Sequence, residues 1–180
     1  MIKYMNLIGI KARKASEYKV TTEVKNKVLN DYAKLIKNEK KFIINQNSKD
    51  INYARKKGLK ENLIKRLHLN ENKLDGIINS ILKIAKLRDP IDSTLEKWKR
   101  PNGLNIKRVS IPIGVIGVIY ESRPNVTSDV ASLCFKSGNV VILKGGSEAI
   151  NSNKALAKLF RKALKKNKVN ENFIQFIDSK

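Results

Sequence analysis

Apolar residues recur at helical spacing through the first half of the chain and gather into short compact runs in the second. Leu7, Ile10, Lys11 and Lys14 begin an amphipathic helix expected to end near Tyr18. Thr21 or Thr22 can cap a second helix through its hydroxyl, with Val24, Val28, Leu35 and Ile36 on the buried face. A third helix is expected over Phe42–Lys57, ended by Gly58 in the left-handed conformation. A short helix follows around Glu61–Leu67. Asn70 is placed to cap the next, where Leu74, Ile77, Ile78, Ile81, Leu82, Ile84 and Ala85 recur on one face until Asp89-Pro90 stops it.

The pattern changes after residue 90. Leu95–Lys99 and Leu104–Val109 flank the turn residues Arg100-Pro101-Asn102-Gly103, which predicts a hairpin. Ile113–Tyr120 reads as a buried strand and Pro124–Ser137 as a helix closed by Gly138. Asn139–Lys144 is a second buried strand. Gly145-Gly146 makes a tight turn, with Ser147 placed to cap or approach a helix over Asn151–Lys166. Phe173–Ile177 is a third strand. Strand, helix, strand, helix, strand implies parallel pairing with right-handed crossovers, half of a doubly wound sheet. The expected organisation is a helical segment over 1–90, a hairpin or arm over 91–110, and a partial βαβαβ dinucleotide-binding unit over 111–180. The fold class is α/β.

Composition narrows the reading. The 180 residues are 41% hydrophobic and 30% charged, a globular balance. No run approaches the roughly 20 apolar residues that span a bilayer, and residues 1–10 show no secretory cleavage pattern. One cysteine, Cys134, cannot make an internal disulfide, which suits a cytoplasmic location. The formal charge of +22 would suit a nucleic-acid partner. However, the chain holds 30 Lys, 20 Asn and 22 Ile, all residues with AT-rich codons, and its lysines are spread along the whole length. Genome composition explains the charge better than selection for nucleic acid does.

A parallel βαβ unit binds ligands at the carboxyl ends of its strands. Two such ends are polar here: Tyr120-Glu121-Ser122-Arg123-Pro124-Asn125 and Lys144-Gly145-Gly146-Ser147-Glu148. The glycines would let backbone approach a ligand, the following helix start favours an anion, and Lys144 adds a positive charge. This suits the phosphates or ribose of a dinucleotide; an ordinary turn with a solvated lysine has the same residues. Gly114-Val115-Ile116-Gly117 is not a GxGxxG phosphate loop. Cys134, mid-helix among Ala131, Leu133 and Phe135, is expected to be a small core residue and not a nucleophile. His68, the only histidine, has no metal-ligand spacing around it, so no metal is expected.

The run from Ile111 to Thr127, IPIGVIGVIYESRPNVT, resembles the signature stretch of gamma-glutamyl phosphate reductases, a branch of the aldehyde dehydrogenase superfamily. The resemblance continues through Asp129–Cys134, Lys136–Asn139 and Val141–Glu148, and includes Lys11–Ser16 and residues 47–58. It covers essentially all 180 residues. It implies NADPH-dependent reduction of L-glutamyl 5-phosphate to L-glutamate 5-semialdehyde, in proline biosynthesis, through a thioester on a cysteine thiolate. It implies a Rossmann-type, aldehyde dehydrogenase-like cofactor domain, and homo-oligomers in which residues 98–109 are an inter-subunit arm. It places Lys144 near the adenosine ribose and its phosphate, beside the loop Gly145, Gly146, Ser147 and Glu148. Asn125 falls near an oxyanion-hole asparagine, with helix N-capping the competing role. Arg123 could fork onto a substrate carboxylate or phosphate, or pair with Glu121 or Asp129.

Members of that family are more than twice as long and carry the nucleophile in their second half. The resemblance therefore implies a truncated, cofactor-binding half without the catalytic domain, inactive alone. It is either completed by a separately encoded half or left as a non-catalytic nucleotide-binding remnant. A basic nucleic-acid-binding protein is the remaining alternative.

Overall fold

A computed structural model of the chain describes residues 2–178. Five helices come first: α1 (Ile2–Ser16), α2 (Thr22–Asn38), α3 (Lys40–Lys56), α4 (Glu61–Leu67) and α5 (Glu71–Lys86). The antiparallel hairpin β1 (Thr94–Lys99) and β2 (Asn105–Val109) follows, pairing Trp98 with Ile106. Then come β3 (Val115–Tyr120), α6 (Pro124–Lys136), β4 (Val140–Gly145), α7 (Ile150–Lys166) and β5 (Ile174–Phe176). The last three strands form one parallel sheet in the order β3-β4-β5.

Local chemistry sets several boundaries as anticipated. Thr21 Oγ1 accepts from Val24 N at the start of α2, and Asn70 Oδ1 from Lys73 N at the start of α5. Gly58 and Gly138 follow α3 and α6 with φ of +68° and +71°, where a side chain would be strained.

Successive residues Val140 and Val141, and Leu143, are fully buried. Neighbouring strand residues point to opposite faces, so both sides of β4 are covered. On one side α6 packs on β4 and α7 on β5, with α2 lying over α6 and α7 and α5 over α6; α1 packs on β4 and β3. A single apolar core runs through these elements. Tyr32 of α2 stacks at 4.4 Å on Phe160 of α7, and Phe135 of α6 packs edge-on against Phe160 and Phe173.

Two apolar faces differ from expectation. Leu7 and Ile10 are exposed; α1 buries Ile8, Ala12 and Ala15 instead, because small residues let the helix sit close to the sheet. β3 is only partly buried: it occupies one side of the described sheet, its Ile119 is 87% exposed, and Ile111 and Ile113, just before the strand, are exposed too. An apolar run shows that a strand can be buried, and only the neighbours decide whether it is. No helix among the described residues is long and apolar enough to cross a membrane.

A buried polar network ties the helical layer to the sheet. Asp50 of α3, 1% exposed, accepts from the backbone N–H of Asn151 (3.1 Å) and Ser152 (2.8 Å) at the first turn of α7. Ser152 Oγ (2.6 Å) and Asn151 Nδ2 (2.8 Å) also donate to it. One turn earlier, Asn47 donates to Leu67 O and Ser152 Oγ, and accepts from Leu69 N. Every polar atom of the Asn47 amide is thus used, as burial demands.

A second buried contact closes the far side. Lys25 Nζ lies 2.8 Å from Asp89 Oδ2, with both side chains almost wholly covered. Burial pushes the Asp89 carboxyl up. Hydrogen bonds from Lys25, Ile91 N and Thr22 outweigh it, so the net shift is below the ordinary value of 3.8.

Two outcomes are expected. Asp50→Ala leaves four donors at the α7 start without an acceptor, and should cost about 2–4 kcal/mol; a urea midpoint that does not move would contradict this. The lowered Asp89 carboxyl contributes stability that is present above its unfolded value and lost as pH falls through its folded value. Lys25→Met should therefore flatten the fall in stability below about pH 4, read from urea midpoints across pH.

Candidate functional site

The parallel register sets Tyr120 opposite Gly145, so β3 and β4 end at the same level. The segments that follow, Glu121-Ser122-Arg123 and Gly146-Ser147-Glu148, are therefore adjacent. Ser122 Oγ donates to Glu148 Oε2 across the gap at 2.6 Å, and Ser147 Oγ donates to Oε1 at 3.0 Å. The Ser122 hydroxyl, then the Glu148 backbone N–H, hold the Glu148 carboxyl below the usual carboxylate range against the effect of burial. The rim thus carries a fixed negative group.

A crevice of about 370 Å³ opens between this rim and α4. Leu59, Leu63 and Leu67 form its apolar wall; Arg66, Glu121, Ser122, Arg123, Gly146 and Glu148 supply its polar side. A neighbouring depression of about 390 Å³ shares Arg66 and is lined by Lys73, Ser80, Asn125 and Asp129, with Leu69, Gly76 and Ile77. The same residue therefore faces both hollows.

The two glycines are required, but by the protein's own atoms. A Cβ on Gly146 would fall 2.1 Å from Ser122 Oγ, and one on Gly145 would fall 2.3 Å from Asn153 Nδ2 and 3.0 Å from the Tyr120 ring. They let the two strand ends close on each other, a requirement that the strand–turn pattern did not show. Below them Thr127 Oγ1 donates to Asn153 Oδ1 at 2.9 Å, so its single proton is spent and Tyr120 OH is the donor in the 2.7 Å Tyr120–Thr127 bond. Burial pushes the Tyr120 phenol up to about 12, so it stays protonated.

The remaining candidates are distributed as follows. Arg123 lines the crevice and pairs with Glu121 at 3.6 Å, while Asp129 accepts from Ser80. Asn125 does not cap α6. Arg123 occupies the N-cap, without a side-chain cap bond, and Pro124 opens the helix, so the Asn125 amide points outward and donates to Asp129 one turn on, at 3.4 Å. Lys144 is half-buried, level with Ile119 and one residue before the rim, and is not among the residues lining the crevice. Ser147 opens a single 3-10 turn and caps nothing. The α7 N-terminus is filled by the Asp50 carboxylate, so it cannot serve as the anion site that the strand–turn–helix pattern suggested. Cys134 is partly buried against the core, and burial pushes its thiol up, away from the reactive thiolate. His68 is exposed at the end of α4. Asp50 and Arg66 were missed by sequence reasoning. Both lie on helices whose pattern shows only solvent-facing polar positions.

No family model matches the chain. It is 42% identical over 178 residues to the gamma-glutamyl phosphate reductase of Persephonella marina, covering 98% of this chain and 40% of that protein. The crystal structure of gamma-glutamyl phosphate reductase from Thermotoga maritima superposes with a TM-score of 0.93 at 41% identity, over 96% of this chain and 42% of that one. A propionaldehyde dehydrogenase from Rhodopseudomonas palustris shares the fold, with a TM-score of 0.66 at 13% identity over 97% of this chain and 37% of that one. The chain spans about two fifths of the length of the curated relatives it matches.

The rim geometry predicts that Ser122→Ala, by removing the first support of the Glu148 carboxylate, raises its titration toward the ordinary 4.5. A carbon-detected NMR titration of the Glu148 carboxyl reads this; an unchanged midpoint would show that the bond does not form in solution.

Proposed function

The chain belongs to the gamma-glutamyl phosphate reductase family over the two fifths of its relatives' length that it spans, and we propose that it supplies the nicotinamide-cofactor side of an acyl-phosphate reductase. The substrate in this reading is L-glutamyl 5-phosphate, the product L-glutamate 5-semialdehyde, and the cofactor NADPH. The observation that carries the reading is the crevice at level, adjacent ends of two parallel strands, on a chain so similar to named reductases.

The residues present fit such a cofactor. Glu148, held as an anion by two serine hydroxyls, retains lone pairs that can accept from ribose hydroxyls. Lys144, at the adjoining strand position, brings positive charge for the 2′-phosphate. Gly145 and Gly146 keep the rim thin, and Ser147 offers a hydroxyl beside it. The bound cofactor would supply hydride.

In the reaction a cysteine thiolate adds to the acyl phosphate carbonyl, phosphate leaves, and a thioester remains. Hydride delivered to the thioester carbonyl then expels the thiolate and leaves the aldehyde. Cys134, with its thiol pushed up by burial, is not that thiolate; in this reading the nucleophile comes from residues outside these 180. Asn125, whose outward amide makes a 3.4 Å contact with Asp129 and no other side-chain hydrogen bond among the described residues, is proposed to donate to the developing oxyanion. Arg123 is proposed to hold an anionic end of the substrate.

NADPH should bind the 180-residue chain, read as a saturable change in its own nicotinamide fluorescence on titration. Lys144→Ala should weaken that binding about tenfold or more while leaving NADH binding nearly unchanged. Equal affinity of parent and variant would remove Lys144 from the site. The chain by itself should oxidise no NADPH in the presence of L-glutamyl 5-phosphate; measurable turnover at 340 nm would refute the assignment of the nucleophile.

A further inference from the structure

Glu121 stands at the mouth of the crevice between two arginines. Arg66 Nη1 of α4 lies 3.8 Å, and Arg123 Nε 3.6 Å, from the same oxygen, Oε2. Both separations are longer than a hydrogen bond. Neither guanidinium makes a side-chain hydrogen bond to another described residue, so both forks keep their donors available. Two positive charges meet one negative charge, and the crevice's other carboxylate, Glu148, is occupied by Ser122 and Ser147 on the rim. At Glu121 two guanidinium charges thus face a single carboxylate, while Glu148, still an anion, balances the lining as a whole.

We propose that Arg66 and Arg123 form a receptor for a phosphoryl dianion and that Glu121 is its internal placeholder, displaced when the ligand arrives. Exposed pairs at such distances hold weakly, so the carboxylate is easily displaced. A phosphoryl group offers three oxygens to two planar forks and neutralises both charges, which one carboxylate cannot. Arg66 borders both the crevice and the Asn125 depression, so the receptor sits at their junction. Arg66 and Glu121 thereby acquire roles that the strand-end pattern alone does not assign. The proposal rests on the reading of this crevice as a ligand site.

The test is a titration of the 180-residue chain with inorganic phosphate, followed by amide NMR shifts around residues 121–126, with circular dichroism confirming that each variant folds. Glu121→Gln removes the competitor and should tighten phosphate binding about two- to fivefold. Arg66→Gln and Arg123→Gln should each weaken it about tenfold or more. Arg108→Gln, in the exposed hairpin pair with Glu96, should leave it unchanged. Unchanged or weaker binding in Glu121→Gln, or parental affinity in both arginine variants, overturns the proposal. NADPH and NADH titrations identify the source of the phosphoryl group. Weakening of NADPH alone by Arg66→Gln places the cofactor's 2′-phosphate here, and loss of phosphate binding with both cofactors unaffected places the acyl phosphate here. Arginine-dependent phosphate binding in a chain that takes up no NADPH would refute the cofactor reading and leave this receptor standing.

Discussion

The structure depends on one carboxylate, Asp50, buried at the first turn of α7. A helix start leaves backbone donors without intrahelical partners, and in a βα unit those donors commonly face a ligand phosphate. Here they face a side chain from α3, a hundred residues earlier in the chain. The same carboxylate takes the Ser152 hydroxyl, and Ser152 in turn accepts from Asn47. Asn47 then holds the α4 exit through Leu67 and Leu69. The position of α4, and with it the apolar wall of the crevice, is therefore set from the start of α7.

That arrangement changes what the crevice can do. With the α7 dipole already satisfied internally, negative ligand groups must be met by side chains at the strand ends instead. Those side chains are of both signs. Glu148 is locked as an anion and suits hydroxyl donors, while Arg66 and Arg123 converge on a single exposed carboxylate and suit an incoming anion. Both groups line one opening about 370 Å³ in volume, opposite the leucines of its apolar wall. The closeness of the two strand ends is maintained by Gly145 and Gly146, whose missing Cβ atoms make room for Asn153, Tyr120 and Ser122.

Much of this was legible in the chain. Caps at Thr21 and Asn70, the stops at Gly58 and Gly138, and the hairpin around Pro101-Asn102-Gly103 act over three or four residues, so local pattern reports them. The parallel sheet and the two adjacent rims followed from the alternation of strand and helix. The burial of β3 did not, because Ile111, Ile113 and Ile119 have the same character whether covered or not. Leu7 and Ile10 failed for a related reason: the sheet accepted the small face of α1, with Ala12 and Ala15, in place of the larger one.

The sequence by itself determined the elements, their parallel order, the family and the location of the polar rims, since each rests on neighbouring residues or a contiguous motif. Only the tertiary structure decided which donors were already satisfied. Asp50 and Ser152, Arg66 and Glu121, Ser122 and Glu148 meet across 26 to 102 residues. Whether a polar group there is a cap, a rim support or a ligand contact depends on distances of a few ångströms that hydrophobic periodicity does not encode.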